Sequence, residues 1–176
     1  MSTVPVTRTW VAGEVVTDGF MNNNVTGPIA WLLAPALCQV RQIVAQSIAT
    51  SSTTDMTWTA EDVDSTGMHS NVSNTARLTA VYPGWYLNAG AVGWAANATG
   101  RRIAAIRVNG ADITGSQLAM QATAASLAVV PSRTILTFLN VGDYTGMAGR
   151  QESGGALLTA VTSGEQSHFM SMWVSN

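Results

Sequence analysis

The sequence predicts an all-β chain, an antiparallel sandwich or jelly roll, preceded by a short, partly helical N-terminal segment. Two observations carry this. The stretch Arg77 to Gly110 reads as three consecutive strands broken by Pro83-Gly84, by Asn97-Ala98-Thr99-Gly100 and by Asn109-Gly110, and Asn and Gly accept the positive φ that tight turns require. Beyond it, β-prone runs recur at the 8–12-residue spacing of an all-β sandwich. Boundaries are expected at residues 1–36 for the N-terminal segment and 37–176 for the sandwich.

Taken in order, Val11, Val15 and Val16 suit a short strand that Gly13 weakens. Asp18 is placed to cap a helical segment through Phe20, Met21 and Val25. Gly27-Pro28 then restarts the chain, with Pro at a first helical position ahead of Ile29 to Leu33, and Pro35 ends that turn. The apolar side chains of this segment need a cover, either the chain's own β domain or a foreign surface. Leu37 to Ala45 fits a first strand and Met56 to Thr59 a short one, followed by an acidic turn from Glu61 to Gly67. The central run supplies Leu78 to Tyr82, Trp85 to Ala96 and Arg101 to Val108. These three are expected to pair through hairpin turns. Leu118 to Met120 and Ala122 to Val130 are β-prone, and Arg133 to Asn140 alternates Thr134, Leu136 and Phe138 against Ile135, Thr137 and Leu139. Val141-Gly142-Asp143 turns into Tyr144, and Ala156 to Val161 and His168 to Val174 complete the strands.

Composition narrows the partners. All eight basic residues are Arg, and the formal net charge is −2. That gives no basic footprint for nucleic acid and no polybasic membrane patch. Charged residues make up 10% of the chain against 47% apolar ones, well below the usual quarter. Either surface is hidden against copies of the chain or another protein, or the surface is built of small Ala, Thr and Ser residues. The single cysteine, Cys38, leaves no internal disulfide and fits a buried thiol. No signal peptide is read at the N-terminus, and Pro28 to Cys38 is too short to span a bilayer.

The sequence offers little chemistry. His69 and His168 stand about a hundred residues apart, and no nucleophile elbow, metalloprotease helix or phosphate loop occurs. His69 with Asp62 and Asp64 lacks a third neutral ligand for zinc, and Glu61, Asp62 and Asp64 lack EF-hand spacing for Ca²⁺. A solvated turn is the expectation there, with no cofactor and no catalytic residue. Trp58, Trp85, Tyr86, Trp94 and Trp173 are expected in the core, and the alternative is sugar stacking. Arg101-Arg102 suits a solvated turn or an ion pair between subunits.

The order of these signals resembles the complement-globular-head and tumour-necrosis-factor jelly roll. The resemblance rests on Gly84-Trp85-Tyr86, Gly100-Arg101, Asn109-Gly110, Gly142-Asp143-Tyr144 and the closing strand Ser167 to Trp173 with Phe169. It spans about residues 37–176 and implies a homotrimer that hides one apolar face along a threefold axis. The family's long ligand-binding loops are short here. The N-terminus, with Thr9-Trp10, Gly13-Glu14-Val15-Val16-Thr17, Met21-Asn22 and Ile29 to Leu33, is similar to the start of many virion proteins of tailed bacteriophages. Together they imply a virion protein made in the host cytoplasm, with a major capsid protein or a tail protein as partner. Trp10, Phe20, Met21, Ile29, Trp31, Leu32 and Leu33 are expected to dock it to the particle. Capsid decoration is preferred over a minor tail protein, and a tail tip that binds a host-surface glycan or receptor is the alternative.

Overall fold

The structure, a computed structural model, describes residues 8–122, 128–162 and 164–176. The chain forms two compact units, the first ending at Pro35 and the second running from Ala36 to Asn176.

In the first unit one helix runs without a break through three segments: α1 (Asp18–Met21), a π-helical turn (Asn22–Thr26) and α2 (Gly27–Leu33). Thr17, not Asp18, is the cap: its hydroxyl accepts the Phe20 N–H at 3.2 Å, and Asp18 sits in the first turn. The expected break at Gly27-Pro28 is absent. Pro28 has no N–H, and its ring would strike the carbonyl one α-turn back. The helix widens instead, and the Gly27 N–H donates to the Asn22 carbonyl, five residues earlier. The Asn24 side-chain amide donates to the Phe20 carbonyl at 3.0 Å. Val11 to Val16 forms no strand; a turn closes there, with the Glu14 N–H on the Val11 carbonyl at 3.1 Å.

The second unit is a sandwich of two six-stranded antiparallel sheets. The first sheet has the order β10 (Ala128–Pro131), β6 (Gly84–Trp94), β14 (His168–Ser175), β1 (Leu37–Arg41), β4 (Ala60–Asp64). The eleven-residue β6 is long enough to take β11 (Ile135–Leu139) along its first half and β10 along its second. The second sheet has the order β3 (Thr54–Asp55), β12 (Tyr144–Gln151), β7 (Arg101–Val108), β8 (Ala111–Asp112). Beside them β5 (Leu78–Thr79) pairs with β12 and β9 (Leu118–Gln121) with β7. A small ladder joins β2 (Ser47–Ile48) to β13 (Leu157–Leu158).

Alternation along these strands fills the space between the sheets. Tyr86, Val92 and Trp94 of β6 and Phe169 of β14 point inward, against Ala104 and Ile106 of β7 and Met147 of β12, and all are fully or nearly fully buried. Trp58 joins them, stacked on Phe169 at 6.0 Å between ring centres. The core is therefore dominated by large aromatic and aliphatic side chains, with Gly90 and Gly149 making room for Met147, Met56 and Trp94.

Three expectations for this unit are corrected. First, the central runs do not form a meander: β6 and β7 lie in opposite sheets. Both edges of β6 are already occupied, by β14 and by β10 with β11. The 95–100 segment therefore crosses the end of the sandwich, gripped by the buried Arg102 guanidinium through the carbonyls of Asn97 and Thr99 at 2.9 and 2.8 Å. Of the three turns of the central run, only Asn109-Gly110 makes a hairpin, at φ of 49° and 80°, joining β7 to β8. Second, Met56 to Thr59 is not a strand. It carries the chain from β3 in one sheet to β4 in the other, burying Met56 and Trp58, with the Trp58 N–H on the Thr75 carbonyl at 2.9 Å. Third, Glu61 to Asp64 lies on β4, and the turn begins after it. Asp64 shapes that turn by accepting the N–H groups of Thr66, Gly67, Met68 and His69 at 2.8–3.2 Å. The β-prone stretch Ala122 to Val130 becomes β10 from Ala128; residues 123–127 lie outside the described residues.

Candidate interaction surface

The outward face of the first sheet is built by register. Residues directly opposite on antiparallel strands share a face. Trp85 stands opposite Phe138, and Leu87 stands opposite both Leu136 and Met172, which in turn faces Leu37. One row thus runs Leu136, Leu87, Met172, Leu37 across four strands, with Trp85, Phe138 and Val174 beside it. Trp85 is 43% exposed, Phe138 46%, Leu136 55% and Val174 43%. Trp85 and Phe138 meet edge to face at 5.7 Å and 79°. Trp85, Leu136, Val174 and Ser175 enclose an open depression of about 350 Å³.

The second sheet's outward face is of opposite character. Arg107 pairs with Asp55 at 2.5 Å and with Asp112 at 2.9 Å. Glu152 receives Arg101 at 2.8 and 3.0 Å and Arg150 at 3.1 Å. The hydrogen bonds from Arg101 hold the Glu152 carboxyl below its ordinary range and raise the Arg101 guanidinium. Arg101 therefore forms an ion pair within the chain, where a solvated turn or an intersubunit pair was expected. Three arginines and three acids balance on this face, so it needs no partner to satisfy its charge. On the first sheet, half-exposed aromatic and aliphatic side chains form one contiguous patch, a candidate interaction surface.

The motif residues take structural roles, with one exception. Gly84 lies where a Cβ would collide with the Ser175 carbonyl and the Trp173 indole, and Gly100, at φ 71°, packs its Cα against the Glu152 carbonyl in the same way. Tyr86 is buried with its hydroxyl donating to the Tyr82 carbonyl at 2.9 Å, and Phe169 is buried in the core. Asn109, Gly110, Gly142 and Asp143 clamp two turns together. The Asn109 amide donates to Asp143 at 2.9 Å, its oxygen accepts the Tyr144 N–H at 3.0 Å, and Asp143 accepts the Asn140 N–H at 2.8 Å. Gly142 supplies a φ of 90° between them. Trp85 is the exception: it was expected in the core, and the alternation of β6 turns it to the outside. Trp58, Tyr86, Trp94 and Trp173 are buried.

Of the docking set, Trp10, Met21, Ile29, Leu32 and Leu33 are exposed. Phe20 is half-buried beneath the Arg8 guanidinium, 4.3 Å from its ring centre, and Arg8 also lies 4.9 Å from the centre of the Trp10 ring and pairs with Glu14. Trp31 is buried. The polar residues weighed for metals are engaged within the protein. His69 is buried between the Glu61 carboxylate, 2.8 Å from Nδ1, and the Thr75 carbonyl, 3.1 Å from Nε2. Asp62 pairs with Arg41 at 2.7 Å. Among the described residues no cluster of three His, Cys, Asp or Glu is placed to hold a metal ion. His168 points outward on β14. Cys38 is buried; desolvation, aided by the nearby carboxylates of Asp64 and Glu61, pushes its thiol far up.

The sandwich has clear structural counterparts. The globular domain of zebrafish complement 1qA superposes with a TM-score of 0.58 at 13% identity, covering 80% of this chain and 99% of that one. The fold is the C1q and tumour-necrosis-factor jelly roll. Murine APRIL gives a TM-score of 0.59 at 11% identity over 79% of this chain and 98% of its own. Eiger, the tumour necrosis factor of S. frugiperda, gives 0.57 at 13% identity over 81% and 94%. No family model and no curated protein matches the sequence. At these identities the C1q and tumour-necrosis-factor likeness fixes the jelly roll and leaves the function to the surface.

Proposed function

We propose that this chain is a non-enzymatic structural protein of a tailed-bacteriophage virion, a homotrimer that joins copies through the apolar face of the first sheet. The observation that carries the proposal is the contrast between the two outer faces. One presents Trp85, Phe138, Leu136 and Val174 to solvent, and the other satisfies its own charges. A threefold arrangement is what the resemblance to the jelly-roll family implies, and it would cover that patch. The leader, with Trp10, Met21, Ile29, Leu32 and Leu33 exposed, attaches the trimer to a major capsid protein or a tail protein. Capsid decoration is the preferred position, since a trimer suits the threefold points of a shell.

Quantitative mass spectrometry of separated heads and tails from purified particles tests this reading. Copies in multiples of three on heads support capsid decoration, and copies on tails alone move the protein to a tail position. Absence from both overturns the virion reading. A second reading, a tip that binds a host-surface glycan, is favoured by exposed Trp85, whose ring could stack on a sugar. It predicts that Trp85 stays accessible in the assembled protein, where the trimer reading predicts it covered.

A further inference from the structure

The helix of the first unit carries an unpaired surface of unusual composition. From Gly19 to Val40 the sequence holds no charged residue. Leu32 and Leu33 are 70% and 81% exposed, and Met21 and Ile29 are also exposed. At about 100° per residue, an unbroken α-helix would set Met21 about 80° from Ile29 and about 120° from Leu33. The π turn at Asn22–Thr26 takes up one extra residue. That rotation brings Met21, Ile29 and Leu33 within about 40° of one another, in a single narrow stripe.

We propose that this stripe seats in an apolar, uncharged groove on a protein of the particle, and that the π turn sets the register of its anchors. The inference rests on the leader-docking reading above and names the chemistry of its partner. Spaced apolar anchors on one helix face are how helices enter protein grooves. A lipid surface is disfavoured because interfacial helices carry Lys and Arg on the polar face, and this helix has none. Pro28 and Gly27 enforce the device. Pro28 removes the α-type hydrogen bond, and a Cβ at Gly27 would crowd the Asn22 carbonyl at 3.1 Å.

The test uses the full chain and virions assembled without it, with bound copies per particle as the readout. Pro28→Ala lifts the block to an α-helix, and in that background deleting Asn23 removes the extra residue of the π turn and keeps the stripe aligned, so binding should be retained. Deleting Asn22 and Asn23 together in the same background turns Met21 by about 100° from Ile29 and Leu33, and occupancy at subsaturating protein should fall about tenfold. Circular dichroism confirms that both variants keep their helix. Leu33→Ser, which leaves the backbone alone, should show a comparable loss. Equal binding by both deletion variants, or equal loss with helix intact, overturns the register. Full binding by a chain lacking residues 1–36 overturns the docking reading instead. Binding to vesicles of equal parts phosphatidylcholine and phosphatidylglycerol, weakened by Leu33→Ser, would replace the groove with a membrane.

Discussion

Leu136→Asp is the substitution that separates the apolar face from the fold beneath it. Leu136 lies on β11 opposite Leu87 and is already 55% exposed in the single chain. The change therefore costs the isolated sandwich little, within about 0.5 kcal/mol for a surface site. In a trimer that covers the face, each copy loses the burial of that remaining half, about 1 kcal/mol. Each also buries a carboxylate without a partner, at about 3–5 kcal/mol. Arg41 cannot rescue it: it sits on β1, three strands away, and already pairs with Asp62. Summed over three interfaces the penalty is about 12–18 kcal/mol, more than half the strongest non-covalent affinities known. Sedimentation velocity at micromolar concentration should show a monomer, with the β-sheet circular dichroism of the parent. A variant that stays trimeric with the same spectrum would refute the assignment of this face as the interface.

Three further outcomes follow from the geometry. Tyr86→Ala should destabilise the sandwich by about 3–5 kcal/mol, because its ring is fully buried. Tyr86→Phe, losing only the hydroxyl bond to the Tyr82 carbonyl, should cost about 1 kcal/mol, both read by thermal unfolding at fixed protein concentration. The Asn140 N–H, then the Asn109 amide, hold the Asp143 carboxyl below its ordinary range. A depressed folded value means that stability is present above the usual carboxylate range and is lost as pH falls through the folded value. The stability difference between the parent and Asp143→Asn should therefore be constant at neutral pH and shrink in acid. Native Cys38 should resist a maleimide at pH 8 and react once the chain is unfolded, because burial disfavours its thiolate.

The jelly roll was legible because its strands repeat at even spacing and its turns carry Asn, Gly and Asp where the backbone needs them. Asn109-Gly110 and Gly142-Asp143 are turns in the structure as in the sequence. Pairing was not legible. A Gly-bounded connection reads the same whether it makes a hairpin or crosses a sandwich, and only the occupied edges of β6 decide that Asn97 to Gly100 crosses. The exposed face is hidden in the sequence for a related reason. Leu136 and Phe138 alternate with Ile135, Thr137 and Leu139, and both sets are apolar enough to face a core. Residue type alone places Trp85 inward, whereas its neighbour Tyr86 holds the inward position and period two sends Trp85 outward. In the leader, the sequence around Pro28 suits a restart; the adjacent Gly27 lets the helix absorb it as a π turn.

Mass decides the central claim most directly. Multi-angle light scattering on the purified full chain should give three times 18.4 kDa, with Trp85 shielded from an aqueous fluorescence quencher. A monomer of 18.4 kDa with β-sheet circular dichroism and a quenchable Trp85 would contradict it, leaving the apolar face open for another ligand.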